Sequence, residues 1–168
     1  MLKEILGNEY ENLLKCDNLL ETSIKVAEKV FEGRLDKGGN PYMVHLLSVS
    51  YFMDNELDKT VAILHDILED SAVTKEELQD FGYPKEVIDA IEILTRKEKE
   101  DYSKYIERIM SSENLTALNV KLYDLKNNMD ISRIKNPTPK DFERIETRYR
   151  KSYIKIENKI NEMREKQC

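Results

Sequence analysis

The sequence has no tryptophan, only two cysteines, four prolines and five glycines among 168 residues. Cys16 and Cys168 stand far apart and form no CxxC, so neither a disulfide framework nor a cysteine metal site is available, and a reducing compartment fits. No apolar run approaches the roughly 20 residues needed to cross a bilayer. The opening MLKEILGNEYENLLKCD carries acidic residues where a secretory leader needs a basic head and an apolar stretch. A cytoplasmic chain without a membrane partner is therefore expected. Excess positive charge is missing too: Lys and Arg number 27 against 33 Asp and Glu, a net charge of -6. That balance speaks against a nucleic-acid partner held by phosphate neutralisation. Histidine is scarce as well, and the positions of its two copies, His45 and His65, are informative for that reason.

What is present is helical patterning. Apolar residues recur every three or four positions between the few Gly and Pro, and 36% of residues are charged, as the outer faces of helices require. The spacing predicts helices at 3–15, 18–32, 42–54, 56–70, 74–80, 84–95, 101–111, 114–131 and 139–164, with no strand. Asp17 and Thr74 are candidate N-caps, Thr74 forming a capping box with Glu77, and Pro41 and Pro84 suit first-turn positions. The length fits one all-α domain spanning 1–168. GRLDKGGNP, residues 33–41, is the one glycine-rich loop, and it runs into the segment that carries His45. A cluster of Arg144, Arg148, Arg150 and Lys151 reads either as a solvated helix face or as a site for a small anion.

One stretch breaks the pattern. VAILHDILEDS begins as a buried helix and then places His65, Asp66, Glu69 and Asp70 within six positions. On a continuous helix these four fall within an arc of about 140°. Burying three carboxylates together is unfavourable unless a cation or hydrogen-bonding partners compensate. His45 lies in a second apolar helix, and Lys121, Asp124 and Asn128 share one face of a third. If the three polar stripes converge, His45, His65, Asp66 and Asp124 offer two nitrogens and two carboxylate oxygens. Such a donor set suits Mn, Fe, Co or Zn, and the absence of thiolates disfavours a structural zinc site. An open divalent site lowers the pKa of a water and polarises a phosphoryl oxygen, which suggests hydrolysis. Glu69 and Asp70, one turn on, are placed to exchange protons with the water or the leaving oxygen.

The ordered motifs DKGGNPYMVHLLSV, AILHDILEDSAVT, LTR and VKLYDLKNNMD resemble the HD-domain metal-dependent phosphohydrolases, in particular the Rel/Spo branch that degrades ppGpp and pppGpp. The motif core covers about 33–149. The resemblance implies a compact all-α HD-domain bundle around a single metal site, with Mn held by His45, His65, Asp66 and Asp124. It implies Glu69 and Asp70 as the catalytic acidic pair, and removal of pyrophosphate from the ribose 3′ position of a small-molecule nucleotide. Asn128 falls on the family's base-contacting asparagine, Lys37 on a basic loop residue and Tyr149 on a late substrate-contacting tyrosine, with Arg144 a phosphate partner. With no synthetase motifs after the hydrolase motifs, the chain reads as a stand-alone small alarmone hydrolase.

One position departs from the family. Its Arg-Lys pair in the glycine loop reads Asp36-Lys37 here, and an acidic side chain cannot stack on guanine as a cation does. Arg34 is the candidate replacement. Two other functions remain open at this stage: phosphate monoester cleavage of another nucleotide, such as NADPH at its 2′-phosphate or a nucleoside monophosphate, and a nucleotide-binding regulator without turnover.

Overall fold

The apolar spacing closes into helices almost where it predicts them. The computed structural model describes residues 1–166, and Cys168 lies outside them. The predicted first helix is divided: α1 (Leu2–Leu6) and α2 (Tyr10–Leu13) flank a 3-10 turn at Gly7–Glu9. Gly7 takes φ 50°, a left-handed conformation that interrupts a helix and costs glycine little. α3 (Leu19–Val30) is capped by Asn18 rather than Asp17, its side chain accepting from Glu21 N–H at 2.8 Å.

α4 (Tyr42–Tyr51), α5 (Glu56–Leu64) and α10 (Leu115–Met129) pack on one another at the centre. Thr60 through Leu64 of α5 are all fully buried, so this helix is the axis of the fold. Each large aliphatic side chain buried there contributes about 1.5–3 kcal/mol of transfer free energy. α3 covers α5, α8 (Lys85–Leu94) packs on α5 and α10, and α12 (Arg150–Glu165) lies along α10. Pro41 and Pro84 stand at the N-cap positions of α4 and α8, one residue earlier than predicted.

The capping box of α7 (Lys75–Asp80) forms as read from the sequence, with Glu77 N–H on Thr74 Oγ1 at 3.3 Å and Thr74 N–H on Glu77 Oε2 at 3.1 Å. Glu77 also accepts from Leu2 N–H, which ties α1 to α7. α9 (Tyr102–Ser111) is anchored through Arg108.

Two further differences from the expected elements matter for the site. The predicted helix 56–70 breaks at His65 and Asp66, leaving α6 (Ile67–Asp70) as a separate turn. The predicted helix 139–164 consists of α11 (Pro139–Arg144), a π-turn at Ile145–Tyr149 and α12. No strand occurs among the described residues, although Leu35 and Pro41 form one isolated antiparallel bridge closing the glycine loop. No described helix is long and apolar enough to cross a membrane.

Candidate functional site

The break in the α5–α6 segment has a local cause. His65 Nδ1 lies 2.7 Å from Ala62 O, the carbonyl to which the Asp66 N–H would point in a continuous helix. With the carbonyl as acceptor, Nδ1 carries a proton, which leaves Nε2 as the nitrogen able to offer a lone pair to a cation. His45 is set the same way, its Nδ1 lying 2.7 Å from Asn127 Oδ1. Arg133, a donor only, also binds this Asn127 atom, which identifies it as the amide oxygen and His45 Nδ1 as the donor.

The two free nitrogens converge with two carboxylates. His65 Nε2 is 3.1 Å from Asp66 Oδ2 and 3.8 Å from Asp124 Oδ1; His45 Nε2 is 3.7 Å and 3.4 Å from the same atoms. Ligand atoms of His45, His65 and Asp124 all lie within 4.8 Å of one another, and all three residues are buried. Burial works against a charged imidazole, yet the adjoining Asp124 and Asp66 outweigh it and push His45 up to about 9. His65 is raised for the same opposing reasons, burial against the Asp66 and Asp124 carboxylates. Burial alone would raise the two carboxyls; instead the imidazoles, and Lys121 for Asp124, hold them below the ordinary range.

The donor set fits a divalent ion. His65 Nε2 is fully buried and makes no hydrogen bond among the described residues. Two imidazole lone pairs facing two carboxylate oxygens repel unless a cation, either protons or a metal, stands between them. The other carboxylate contacts are already formed. Asp124 Oδ2 pairs with Lys121 Nζ at 2.8 Å, Asp124 Oδ1 accepts from Asn128 Nδ2 at 2.5 Å, and Asp66 Oδ2 accepts from the Tyr42 hydroxyl at 2.5 Å. These contacts orient the ligand atoms as second partners of a metal ligand do.

Beside this cluster opens a cavity of about 420 Å³. Its wall includes Asp66, Asp124, Glu69 and Asp70, and all five predicted substrate residues: Arg34, Lys37, Asn128, Arg144 and Tyr149. His45 also lines it, whereas His65 does not. Glu69 and Asp70 stand on α6, beyond the helix break, and both reach the cavity wall. Glu69 Oε2 accepts from Arg96 N–H at 2.9 Å, and Asp70 Oδ2 meets Arg34 at 2.8 Å and Tyr42 at 3.2 Å. Arg34 also lies 4.6 Å over the Tyr42 ring. Asn128 is turned onto Asp124, so its amide serves a ligand oxygen as well as the wall.

The π-turn brings Arg144, Arg148 and Tyr149 to the cavity together, whereas Arg150 pairs with Glu146 on the outer surface. The basic cluster is thus split between the two readings open in the sequence. Sequence reasoning missed Tyr42, Tyr102, Asn127 and Arg133 as wall or support residues, and gave Arg148 only as part of a basic cluster open to a small anion. The Arg148 guanidinium lies 3.7 Å from the Tyr102 ring centroid, and Arg148 Nε and the Tyr102 hydroxyl are buried without hydrogen-bond partners among the described residues. Arg148, named in the basic cluster, Tyr42, inside the His45 motif, and Asn127, inside the Asp124 motif, carried a signal; Tyr102 and Arg133 did not.

Fold and cluster together define an all-α domain with a buried histidine–aspartate centre beside a cavity. No family model matches the chain. A guanosine-3′,5′-bis(diphosphate) 3′-pyrophosphohydrolase of Borreliella burgdorferi is 30% identical over 100 residues, covering 57% of this chain and 15% of that protein. One of the same name from Vibrio cholerae is 30% identical over 122 residues, 66% and 17% respectively. A GTP pyrophosphokinase of Myxococcus xanthus is 29% identical over 129 residues, 67% and 17%. The chain thus spans about one sixth of the length of the curated relatives it matches. A solved structure of a metazoan ortholog of SpoT that hydrolyzes ppGpp superposes with a TM-score of 0.70 at 20% identity, over 90% of this chain and 97% of that one. The resemblance to Rel/Spo-like HD-domain hydrolases carried by the motifs is thereby borne out, and the all-α fold is shared with that hydrolase.

Proposed function

We propose that this chain is a single cytoplasmic HD hydrolase domain that uses a divalent ion, Mn2+ foremost, to release pyrophosphate from the 3′ position of ppGpp. The observation that carries the reading is the buried convergence of two histidine Nε2 atoms on two carboxylate oxygens at the edge of a basic, tyrosine-lined cavity. His45, His65, Asp66 and Asp124 would hold the ion. When bound, it supplies Lewis acidity, lowering the pKa of a water and drawing charge from a phosphoryl oxygen.

The remaining roles fall to the side chains of the wall. Arg148, Arg144 and Lys37 neutralise and orient phosphoryl oxygens, the unpartnered Arg148 Nε and Tyr102 hydroxyl being donors without an internal acceptor. A water oxygen bonds to the phosphorus attached to O3′ and the P–O3′ bond breaks. The Glu69–Asp70 pair takes the water's proton and returns one to O3′, leaving GDP and pyrophosphate. Tyr42 links the two halves of this arrangement, since its hydroxyl touches both Asp66 and Asp70.

Incubating the Mn-loaded chain with ppGpp is expected to give GDP and pyrophosphate in equal amounts; no turnover with Mn bound would overturn the reading. A second reading, orthophosphate release from another nucleotide, is favoured by one observation. Asp36, which cannot stack on guanine, is paired with Arg133, and Arg34 is held by Asp70 and Tyr42, so the candidate replacement is not free to stack on guanine as the structure stands. Product identification separates the two.

A further inference from the structure

Asp36, the residue that departs from the family pattern, is built into a chain of contacts that ends on His45. Its Oδ1 accepts from Gly38 N–H at 2.8 Å and Asn40 N–H at 2.9 Å, which closes the glycine loop. Its Oδ2 pairs with Arg133 at 2.7 Å, and the Asp36 side chain is only 7% exposed. Arg133, in the 3-10 turn Ile131–Arg133 after α10, donates to Asn127 O at 3.0 Å and to Asn127 Oδ1. Asn127 Oδ1 in turn receives the His45 Nδ1 proton.

The direction of this chain is chemically fixed. A guanidinium only donates, so it holds the Asn127 amide with its oxygen toward both Arg133 and His45. Were the amide to flip, its NH2 would face Nδ1, the proton would move to Nε2, and the ring could no longer offer Nε2 to a cation. Contact between loop and turn is close enough to be specific. A Cβ at Gly38 would stand 1.8 Å from Arg133 O, so only glycine allows the approach.

We infer that Asp36 is a positioning residue for His45: through Arg133 and Asn127 it fixes the imidazole tautomer and couples the glycine loop to the metal-binding cluster. The inference rests on the proposed metal-dependent reading and assigns to Asp36 a role different from that of the arginine it replaces. The loop that borders the nucleotide cavity and the ring that would hold the ion then move as one unit.

The test is Mn2+ affinity of the full chain, read from the electron paramagnetic resonance of the free ion, for wild type, Asp36→Asn, Arg133→Met and the double variant. Asp36→Asn retains Oδ1 and the size of the side chain, so it reports even if Arg133→Met fails to fold. Each single change is expected to weaken Mn2+ binding by about 10-fold or more. The double variant is expected to be no weaker than the worse single, because both act through one amide. Melting in chelator supplies the control, since a purely structural anchor would lower the melting temperature and leave Mn2+ affinity unchanged. Unchanged affinity in Asp36→Asn, or losses that add in the double variant, would overturn the inference. A wild type that binds no divalent ion removes the metal reading and this inference together; wild-type binding with unaltered variants removes the inference alone.

Discussion

Arg108 on α9 and Asp124 on α10 both bring charge into the helical interior, but their surroundings differ. Arg108 meets Glu100 in a two-pronged pair at 2.8 and 2.9 Å, and its remaining donors reach Ile93 O at 3.0 Å and Thr95 O at 2.9 Å. Every nitrogen of the guanidinium has a partner, and Glu100 is drawn down to about 2 by that hydrogen-bonded partner. Around Asp124 the partners also form, yet the Nε2 atoms of His45 and His65 remain, that of His65 without a hydrogen bond among the described residues, beside an open cavity. A closed polar cluster fixes helices in place. One left short of a cation is arranged for something outside the chain, because its cost is relieved only when that partner arrives.

The comparison breaks most severely if ligands are removed. His65→Ala or Asp124→Ala is expected to abolish pyrophosphate release and to eliminate stabilisation by Mn2+, checked by product analysis and by melting with and without the ion. In wild type, Mn2+ at 100 times its dissociation constant adds about 2.7 kcal/mol. For a chain of this size that raises the melting temperature by about 5–10 °C, reversed by chelator.

Arg148→Met leaves the ligand cluster whole and removes one charge-assisted contact in the cavity. A rise of about 10-fold in KM is expected from steady-state kinetics, with Mn2+ affinity unchanged. Unchanged KM would mean that the buried Nε has no phosphate to serve.

The smallest effect tests the closed cluster. Glu100→Gln is expected to lower stability on the order of 1 kcal/mol by denaturant titration while leaving activity and Mn2+ affinity intact. Glu100 is depressed from 4.5 to about 2 in the folded chain, so its contribution is fully present above pH 4.5 and disappears as pH falls through about 2. The gap in melting temperature between wild type and variant should shrink over that interval. A loss of Mn2+ affinity in Glu100→Gln would show that the two clusters are not independent.

Much of this was legible in residue spacing. Helical periodicity located nearly every element, and Thr74 with Glu77 announced a capping box that forms. His45, His65, Asp66 and Asp124 stood out because polar groups interrupt otherwise apolar helices, and the structure brings all four together. The failures share one origin. Periodicity assumes each helix continuous, but at Gly7 the backbone turns left-handed, at His65 a ring nitrogen takes a helix carbonyl, and at Ile145–Tyr149 one turn is wider. Glu69 and Asp70 follow the second of these and Tyr149 ends the third, and all three line the cavity.

By itself the sequence determined the all-α class, the buried positions and the residue types of the donor set, since these follow from local spacing and the chemistry of side chains. Tertiary structure alone decided which nitrogen of each histidine is free, that Asn128 turns toward Asp124, and that Asp36 joins Arg133 across 97 positions. The His45–Asn127 and Asp36–Arg133 contacts join segments 82 and 97 positions apart, which no short window of sequence contains, while the His65–Ala62 and Asn128–Asp124 contacts are local but depend on side-chain directions that the packing of their helices sets.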